Sequence, residues 1–439
     1  MKRREFFGKA GCGLAGVFAT DLSLMPSDKS EMAKPEHQNI LTRKNSDTEE
    51  VSFGKPIDIE SVRKDFPPLQ KFGAYLDTAF VGLMPRQIKE AHTAFLEERL
   101  EFGPFPTDRS ILGHWMSRTE EVRVKLSDFL GAQPNEIAFT YCTGCGSNIA
   151  LNGIDWKKGD NAVIDDLQYP TDFHVLNALK KKGVEIRIAR NTGGAVPLEK
   201  FEALTDSRTR VFVVSHVSYL NGYRHDLKKL AEIIHARKGY LIVDSAQAIG
   251  GFRINVKEED VDFMSGIPYK WLNGPNGVGF LYVNGKHIPE FMPDRLGWAS
   301  TNDFKSLNTM ESNPLPENAR RYEYGTLSFE GIYALDAALD YINRIGIETV
   351  EQQNLKLIRL LREELRKMKV DFFTPENNEA PILSFFIEDY RKIGRELKEK
   401  GVYITARRWG KAQARVSPHF YNNEDDIHLF IDTLSEVMK

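Results

Sequence analysis

Lys270 lies in the stretch YKWLNGPNGVGFLYV, just ahead of a turn rich in glycine and proline. The apolar run 278–283 that follows the turn predicts a buried strand. A lysine in this place is either an ordinary surface charge or an amine held in a pocket as a nucleophile. Asp244 directly follows the earlier apolar run YLIV, so a carboxylate stands at a second predicted strand end. A lone aspartate there is more often an N-cap, so neither residue alone decides the chemistry.

A segment of small residues, YCTGCGSNIALNGI, opens a predicted helix after the run EIAFT. A helix start offers free N–H groups and the positive end of the helix dipole. Thr143, Gly144 and Cys145 are therefore predicted to hold a phosphate. The segment is not a dinucleotide fingerprint, because Ile149 occupies the third glycine position. It is not a P-loop either, because no Gly-Lys-Ser/Thr follows.

Cys142 and Cys145 form a C-x-x-C within the same segment. A redox function is one interpretation, because a thiol at a helix start has a lowered pKa. A zinc site would need two more ligands nearby, and the sequence shows none, so no metal is predicted. The ordinary interpretation is that small residues pack in a tight turn. The role of the pair stays open at this point.

Tyr169 completes the set of candidate residues, because it follows the predicted strand NAVID within DLQYPTDF. A phosphate-binding turn, a stacking aromatic, a carboxylate and a lysine are what pyridoxal phosphate requires. The lysine forms a Schiff base with the cofactor. The carboxylate keeps the pyridine nitrogen protonated, which makes the ring an electron sink. The set predicts pyridoxal 5'-phosphate as the cofactor.

Strands that alternate with helices position these residues. Short apolar runs rich in β-branched residues separate helix-like stretches at 171–182 and 225–236, after a first helix at 117–130. This order indicates a mostly parallel sheet with helices on both faces, and ligands bind such sheets beyond the carboxyl ends of the strands. The pattern after residue 325 predicts a smaller α+β domain with helices at 330–344, 347–367 and 424–437 and strands at 382–387 and 402–405.

The composition is that of an ordinary globular protein, with 41% hydrophobic and 28% charged residues in a chain of 439. The net charge of −3 does not indicate a nucleic-acid partner or an anionic membrane surface. No stretch reaches the roughly 18 consecutive apolar residues that a membrane span needs. Cys12, Cys142 and Cys145 are the three cysteines, so no disulfide framework is predicted.

The N-terminal segment 1–30 has the layout of a signal peptide. Arg3 and Arg4 precede a weakly apolar stretch rich in glycine and alanine, which resembles a twin-arginine signal. The pattern predicts export to a bacterial periplasm of a protein that folds first, as loading a cofactor requires. A basic N-terminus on a cytoplasmic protein is the alternative. Residues 31–55 are polar and charged and are predicted to form a linker.

Over residues 56–437 the chain resembles class V aminotransferase-fold enzymes of the cysteine desulfurase and isopenicillin N epimerase group. The motifs that carry the resemblance, in order, are YLDTAFVGLMP, FTYCTGCGSNIAL, DLQYPTDF, SHVSYLNG, VDSAQAIG, YKWLNGPNGVGFLYV, YEYGTLS and ARVSPHFYNNEDDIHLFI. The resemblance implies a pyridoxal-phosphate-dependent transferase of fold type I. It implies a large domain (88–310) with a mostly parallel, seven-stranded sheet. It also implies a small α+β domain (311–439) that packs with an N-terminal segment (56–87).

The resemblance also implies roles for single residues. Lys270 would carry the cofactor, Asp244 would face the ring nitrogen and Gln247 would hydrogen-bond the ring oxygen. The remaining implied contacts are Tyr169 stacked on the ring, Tyr269 beside the lysine, Thr326 at the phosphate of a partner subunit in a homodimer, and Arg415 at the substrate carboxylate. Apart from the resemblance, Arg407 and Arg408 lie near Arg415 in sequence and are candidates for a second substrate carboxylate. The alternative is that one or both are solvated loop charges.

Several positions depart from the desulfurase pattern. Tyr169 and Tyr269 stand where histidine is common, and Ile267 stands where a phosphate-binding serine is common. No cysteine follows Cys145, so no residue in GVYITARRWGKAQARVSP can accept sulfur as a C-terminal loop cysteine would. We therefore predict a lyase that acts on an amino acid or its conjugate by C–S or other β-elimination, through an imine with the cofactor. Epimerisation and transamination are the alternatives, ahead of a cysteine desulfurase or an inactive binding protein.

Overall fold

A seven-stranded sheet lies at the centre of the computed structural model, which describes residues 58–102, 110–301 and 315–439. The described residues all belong to one compact unit, Gly54–Lys439. The predicted signal and linker lie outside the described residues. Within the described ranges, no helix is long and apolar enough to cross a bilayer.

Helices and strands alternate through the first two thirds of the described chain. The helices are α1 (Ile59–Lys64), α2 (Arg86–Phe102), α3 (Ser110–Leu130), α4 (Thr143–Gly153), α5 (Pro170–Leu179), α6 (Leu198–Ala203), α7 (Leu227–His235), α8 (Phe329–Ile345), α9 (Ile347–Lys367), α10 (Tyr390–Glu399) and α11 (Glu424–Val437). The strands are β1 (Ala74–Tyr75), β2 (Ile137–Thr140), β3 (Asn161–Asp165), β4 (Glu185–Ala189), β5 (Thr209–Ser215), β6 (Tyr240–Asp244), β7 (Phe263–Gly266), β8 (Gly279–Val283), β9 (Leu383–Phe386), β10 (Val402–Tyr403), β11 (Thr405–Trp409) and β12 (Lys411–Val416).

The central sheet has the strand order β2-β8-β7-β6-β5-β3-β4. Only β8 runs antiparallel to its neighbours β2 and β7, and the other pairs are parallel. Alternate residues of β5 enter two separate cores: Phe212 and Val214 pack in one, and Val211 and Val213 pack in the other. Both faces of the sheet are therefore covered, which explains why its inner strands β5 and β6 contain continuous apolar runs.

Two smaller sheets lie near the C-terminal end of the chain. Strands β11, β12 and β9 form an antiparallel sheet, and β1 pairs in parallel with β10. Helices α9, α10 and α11 contribute to the apolar core beside these strands. The short strand β1 thus ties the start of the described chain to its C-terminal part.

The fold class predicted from the sequence is confirmed: the molecule is a mixed α/β protein of fold type I with a largely parallel central sheet. The predicted strand 402–405 is confirmed in part: Val402 and Tyr403 form β10, whereas Thr405 already begins β11, whose hairpin with β12 was not predicted. Helix α3 also begins earlier than predicted, at Ser110. The predicted domain boundary at 310/311 lies outside the described residues and stays a prediction.

Candidate active site

A pocket of about 480 Å³ opens beyond the carboxyl ends of the central strands, and its size suits a small organic ligand. Asp244 ends β6, Ser215 ends β5, and the turns after β2 and β3 complete the wall. The predicted site residues that line it are Thr143, Gly144, Cys145, Tyr169, Asp244, Gln247, Tyr269 and Lys270. Residues far apart in sequence thus meet at the edge where the parallel strands end.

Lys270 is buried in the turn between β7 and β8, with 8% of its surface exposed. Burial lowers the pKa of its amine to about 8, although the nearby Asp244 carboxylate opposes this shift. The Lys270 Nζ lies 5.9 Å from the ring centroid of Tyr169 and 5.9 Å from that of Tyr269. The amine is therefore not a surface charge but a partly neutral group between two aromatic rings.

The segment 56–87 supports the backbone around Lys270. The Gly82 N–H donates to the Tyr269 carbonyl oxygen at 3.0 Å. A Cβ at Gly82 would lie only 1.8 Å from the Lys270 carbonyl oxygen. On the other side, the Trp271 Nε1 donates to the Gln247 Oε1 at 2.9 Å, and the Gln247 Nε2 donates to the Ala79 carbonyl at 2.9 Å. These contacts fix the turn that presents Lys270 to the pocket.

Asp244 is held at the end of β6 as a hydrogen-bond acceptor. Its Oδ1 accepts from the Ala246 N–H at 2.8 Å, and only 8% of the residue is exposed. Burial raises the pKa of the Asp244 carboxyl. A protonated ring nitrogen placed against this carboxylate would gain a charge-assisted hydrogen bond in a site shielded from water.

A second buried carboxylate, Asp172, also lines the pocket, and the sequence analysis missed it. Asp172 lies in the first turn of α5, is 2% exposed, and accepts a hydrogen bond from the Gln168 Nε2. Burial, followed by the charge of Asp244, raises the pKa of Asp172 to about 7. The sequence could have indicated Asp172 as a site residue, because it lies three residues after Tyr169 on a predicted helix. Arg295 also lines the pocket, and no motif marked it.

The start of α4 suits a phosphate. Helix α4 begins at Thr143, and the first N–H groups of a helix lack intrahelical partners. The Thr143 Oγ1 is buried without a hydrogen-bond partner in the protein. An anion at this turn would satisfy both kinds of donor.

The ring of Tyr169 is open to the pocket. Tyr169 is 43% exposed and packs edge-on against Tyr219, with the ring centroids 5.0 Å apart. The exposed part of the Tyr169 ring is accessible for stacking. The buried amine, the carboxylate acceptor, the orphaned hydroxyl and the open ring together fit pyridoxal phosphate.

The predicted substrate arginines do not line this pocket. Arg415 on β12 is buried, and its Nη1 donates to the Tyr219 carbonyl at 2.9 Å while its Nη2 donates to the Asp77 Oδ1 at 3.2 Å. Arg407 on β11 donates through Nη2 to the same carbonyl at 3.0 Å. Burial, followed by the charge of Arg415, lowers the pKa of Arg407 to about 10. Arg407 is thus a strand residue of the second sheet, whereas Arg408 next to it is exposed.

Thr326 also lies apart from the pocket of its own chain. Its carbonyl oxygen accepts a hydrogen bond from the Tyr141 hydroxyl at 2.8 Å. Tyr141 directly precedes the C-x-x-C segment. Thr326 therefore does not contribute to the pocket of its own chain.

Comparison with known proteins identifies the family. The model of the aminotransferase class V family matches residues 75–430, and the chain belongs to this family. A probable cysteine desulfurase of Methanothermobacter thermautotrophicus is 28% identical over 399 residues, which are 86% of this chain and 98% of that protein. The protein is therefore a pyridoxal-phosphate-dependent enzyme, as the resemblance implied.

Solved structures show the same architecture. The apo structure of the cysteine desulfurase of Thermococcus onnurineus superposes with a TM-score of 0.80 at 25% identity and covers 88% of this chain and 99% of its own. A cystine C–S lyase in complex with its product, cysteine persulfide, superposes with a TM-score of 0.79 at 24% identity and covers 84% and 99%. At such identity the second likeness concerns the fold.

Proposed function

We propose that the protein is a C–S lyase that removes a sulfur leaving group from the β-carbon of a cysteine-derived amino acid. The observation that carries the proposal is the lack of any cysteine in residues 146–439 of a chain similar to cysteine desulfurases, combined with the pocket that holds the buried Lys270 amine and Asp244. Similar proteins named cysteine desulfurase support a sulfur-containing substrate. The proposal concerns the reaction branch, since the family and the cofactor are already assigned.

Lys270 is the proposed acid and base of the reaction. When bound, pyridoxal phosphate supplies an electron sink that makes the substrate's α-proton acidic. The Lys270 Nζ then takes that proton from the α-carbon. Because its pKa is lowered to about 8, part of the amine is a free base at neutral pH and the rest is a ready acid. The Asp244 carboxylate would hold the ring nitrogen of the cofactor in its protonated form.

Arg415 is the proposed ligand of the substrate carboxylate, with Arg407 as a ligand for a second carboxylate. Both guanidinium groups meet at the Tyr219 carbonyl, and Tyr219 itself lines the pocket. The Nε atoms of both arginines are buried without a partner. A substrate carboxylate would have to compete with Asp77 for Arg415. This competition favours a substrate that brings a further negative charge to Arg407.

Sulfur transfer to a C-terminal cysteine is not the proposed mechanism, because residues 146–439 contain no cysteine. The hairpin of β11 and β12 instead presents arginines near Tyr219. Sulfur would then leave the site on a small molecule, as a thiol, a persulfide or sulfide.

A product assay separates the possible reactions. The holoenzyme is incubated with cystine, cysteine and S-alkylcysteines, and the products are identified by mass. We expect pyruvate, ammonia and a sulfur product from at least one of them, and a strong rise in KM for Arg415→Ala. Alanine would identify a desulfurase instead, a D-amino acid an epimerase, and a 2-oxo acid that keeps its sulfur an aminotransferase. Any of these three as the only product would overturn the proposal.

We also propose that residues 1–30 direct export through a twin-arginine pathway. The proposal rests on Arg3, Arg4 and the apolar stretch after them. In a bacterial host, the protein should reach the periplasm, and the double substitution Arg3→Lys, Arg4→Lys should retain it in the cytoplasm. Cell fractionation measures this, and equal distribution of both forms would contradict export by this route.

A further inference from the structure

The thiols of Cys142 and Cys145 face each other at the start of α4. Cys142 precedes the helix as its N-cap residue, Cys145 lies in the first turn, and the two Sγ atoms are 3.5 Å apart. Both are free thiols in the structure. A disulfide needs the sulfurs about 2.05 Å apart, so a shift of roughly 1.5 Å would allow the bond.

The two thiols differ in acidity and exposure. The hydrogen bond from the Cys145 thiol lowers the pKa of Cys142 to about 6. The same contact, followed by burial, raises the pKa of Cys145. Cys142 is exposed and Cys145 is half-buried. The exposed thiolate is suited to attack a sulfur from solvent, and the protonated neighbour is suited to resolve the adduct.

The pair belongs to the cofactor pocket. Both cysteines line the pocket that holds Lys270, and Thr143 and Gly144 lie between them in sequence. The turn is crowded, since a Cβ at Gly144 would lie 3.8 Å from the Cys142 Sγ and 3.1 Å from the Thr171 Cγ2. A disulfide that draws the two sulfurs together would therefore displace atoms of the turn that is suited to hold the phosphate.

We propose that Cys142 and Cys145 form a redox-active dithiol that reacts with small-molecule disulfides, and that its oxidation weakens the hold on the cofactor phosphate. The Cys142 thiolate attacks one sulfur of the small disulfide, whose S–S bond breaks and releases one thiolate that takes up a proton. Cys145 then loses its proton to solvent, attacks the Cys142 sulfur and expels the second thiolate. The protein gives up two electrons and two protons, and the small disulfide becomes two thiols.

This inference does not depend on the lyase reaction, because no amino-acid substrate takes part. The weakened phosphate binding does depend on the assignment of the α4 turn as the phosphate site. The small disulfide used as a probe should lack an amine, so that it cannot react as a substrate of the proposed elimination. Bis(2-hydroxyethyl) disulfide meets this requirement, whereas cystine does not.

The first experiment measures the dithiol directly. Full-length protein with Cys12→Ser is reduced, exposed to the probe at pH 7, and alkylated, and peptides containing both cysteines are weighed. We expect the loss of both alkylatable thiols and of two hydrogen atoms from the peptide. In Cys145→Ser protein, Cys142 should instead retain one mercaptoethanol adduct. Unfolded protein treated with the same disulfide serves as the control. The proposed dithiol would be contradicted if both thiols of the folded protein stayed alkylatable while those of the unfolded protein reacted. It would also be contradicted if both cysteines carried adducts and no bond joined them.

The second experiment measures the effect on the cofactor. The dissociation constant for pyridoxal phosphate is determined by absorbance titration for reduced protein, oxidised protein and oxidised protein after treatment with a reductant. Oxidation should increase the constant, and reduction should restore it. The double variant Cys142→Ser, Cys145→Ser, with its fold checked by circular dichroism, should not respond. A disulfide that forms without changing the constant would overturn the link to the phosphate site.

Discussion

Lys270 illustrates how burial turns a common side chain into a nucleophile. With a pKa of about 8, about a tenth of the amine is neutral at pH 7, compared with less than about a thousandth for an exposed lysine. We predict that cofactor-free protein binds pyridoxal at a rate that rises through pH 8 and levels off above it, because only the neutral amine attacks. Stopped-flow absorbance measures this rate.

Borohydride reduction of the loaded protein supplies the control for this prediction. Peptide mapping should place the label on Lys270, and Lys270→Ala protein should lack it. A label on another lysine, or a rate that rises only near pH 10, would contradict the assignment.

Asp172 lies beside Asp244 in a place where two negative charges are costly. Its pKa is raised to about 7 in the folded protein, compared with about 3.9 in an unfolded chain. The folded state therefore holds this proton more tightly, and the stability linked to it is present below pH 4 and is lost as the pH rises to 7 and above. Asp172→Asn should raise the free energy of unfolding at pH 8 by about 4 kcal/mol and leave it nearly unchanged at pH 4.

Denaturant titration of cofactor-free protein at both pH values tests this effect of Asp172. Asp128→Asn, at an exposed position, serves as the matched control. An equal change for both variants, or a gain that is larger at pH 4, would show that the charge of Asp172 is not the cause.

Some of these residues could be predicted and others could not, for physical reasons. Lys270, Asp244 and Tyr169 stand directly after or between apolar runs, so the rule for parallel sheets places them at one edge. Asp172 and Arg295 line the same pocket, but their contribution depends on how a helix and a loop are oriented in space. Likewise, the pairing of Arg415 with Asp77 joins strand β12 to a residue near the start of the described chain, and sequence spacing carries no sign of it.

At the scale of elements, the segment 56–87 supports the turn that carries Lys270 through the close approach of Gly82. Gly82→Ala would push a methyl group against the Lys270 carbonyl. We expect a loss of about 1–3 kcal/mol in the free energy of unfolding, typical of overpacking, together with reduced incorporation of pyridoxal phosphate. Thermal unfolding and cofactor absorbance measure the two effects.

Gly113→Ala is the matched control, because a Cβ at this position in α3 meets no atom within 4 Å. It should stabilise the protein by about 0.5–1 kcal/mol, since alanine favours a helix over glycine. Normal cofactor content in Gly82→Ala protein would show that the lysine turn does not need this close approach.

The hairpin of β11 and β12 shows where prediction by pattern fails for an element. In this region the sequence predicts only a strand at 402–405 and leaves a solvated loop charge as the alternative for Arg407. In the structure, Arg407 pairs with Gln413 across the hairpin, and Gly410 closes the turn with a φ of +70°. The partner strand β9 and the contact with Tyr219 stabilise charged strands that local propensity does not favour.

At the scale of the whole molecule, Thr326 bears on whether the protein forms a dimer. Thr326 lies off the pocket of its own chain, while the resemblance implies that it reaches the phosphate of a partner subunit. We therefore predict a homodimer with shared active sites. In a mixed dimer of Lys270→Ala and Thr326→Ala subunits, one site would carry both defects and the other would carry neither. Random mixing should then restore up to about a quarter of the wild-type activity.

The two inactive variants are mixed after partial denaturation and refolded together, and product formation is followed over time. Size-exclusion chromatography with light scattering gives the mass of the active species. A control mixture of Lys270→Ala with Asp244→Ala should not recover activity through Thr326, because Lys270 and Asp244 line the same pocket of one chain and no intact site forms. A fully active monomer, or equal recovery in both mixtures, would contradict the shared site.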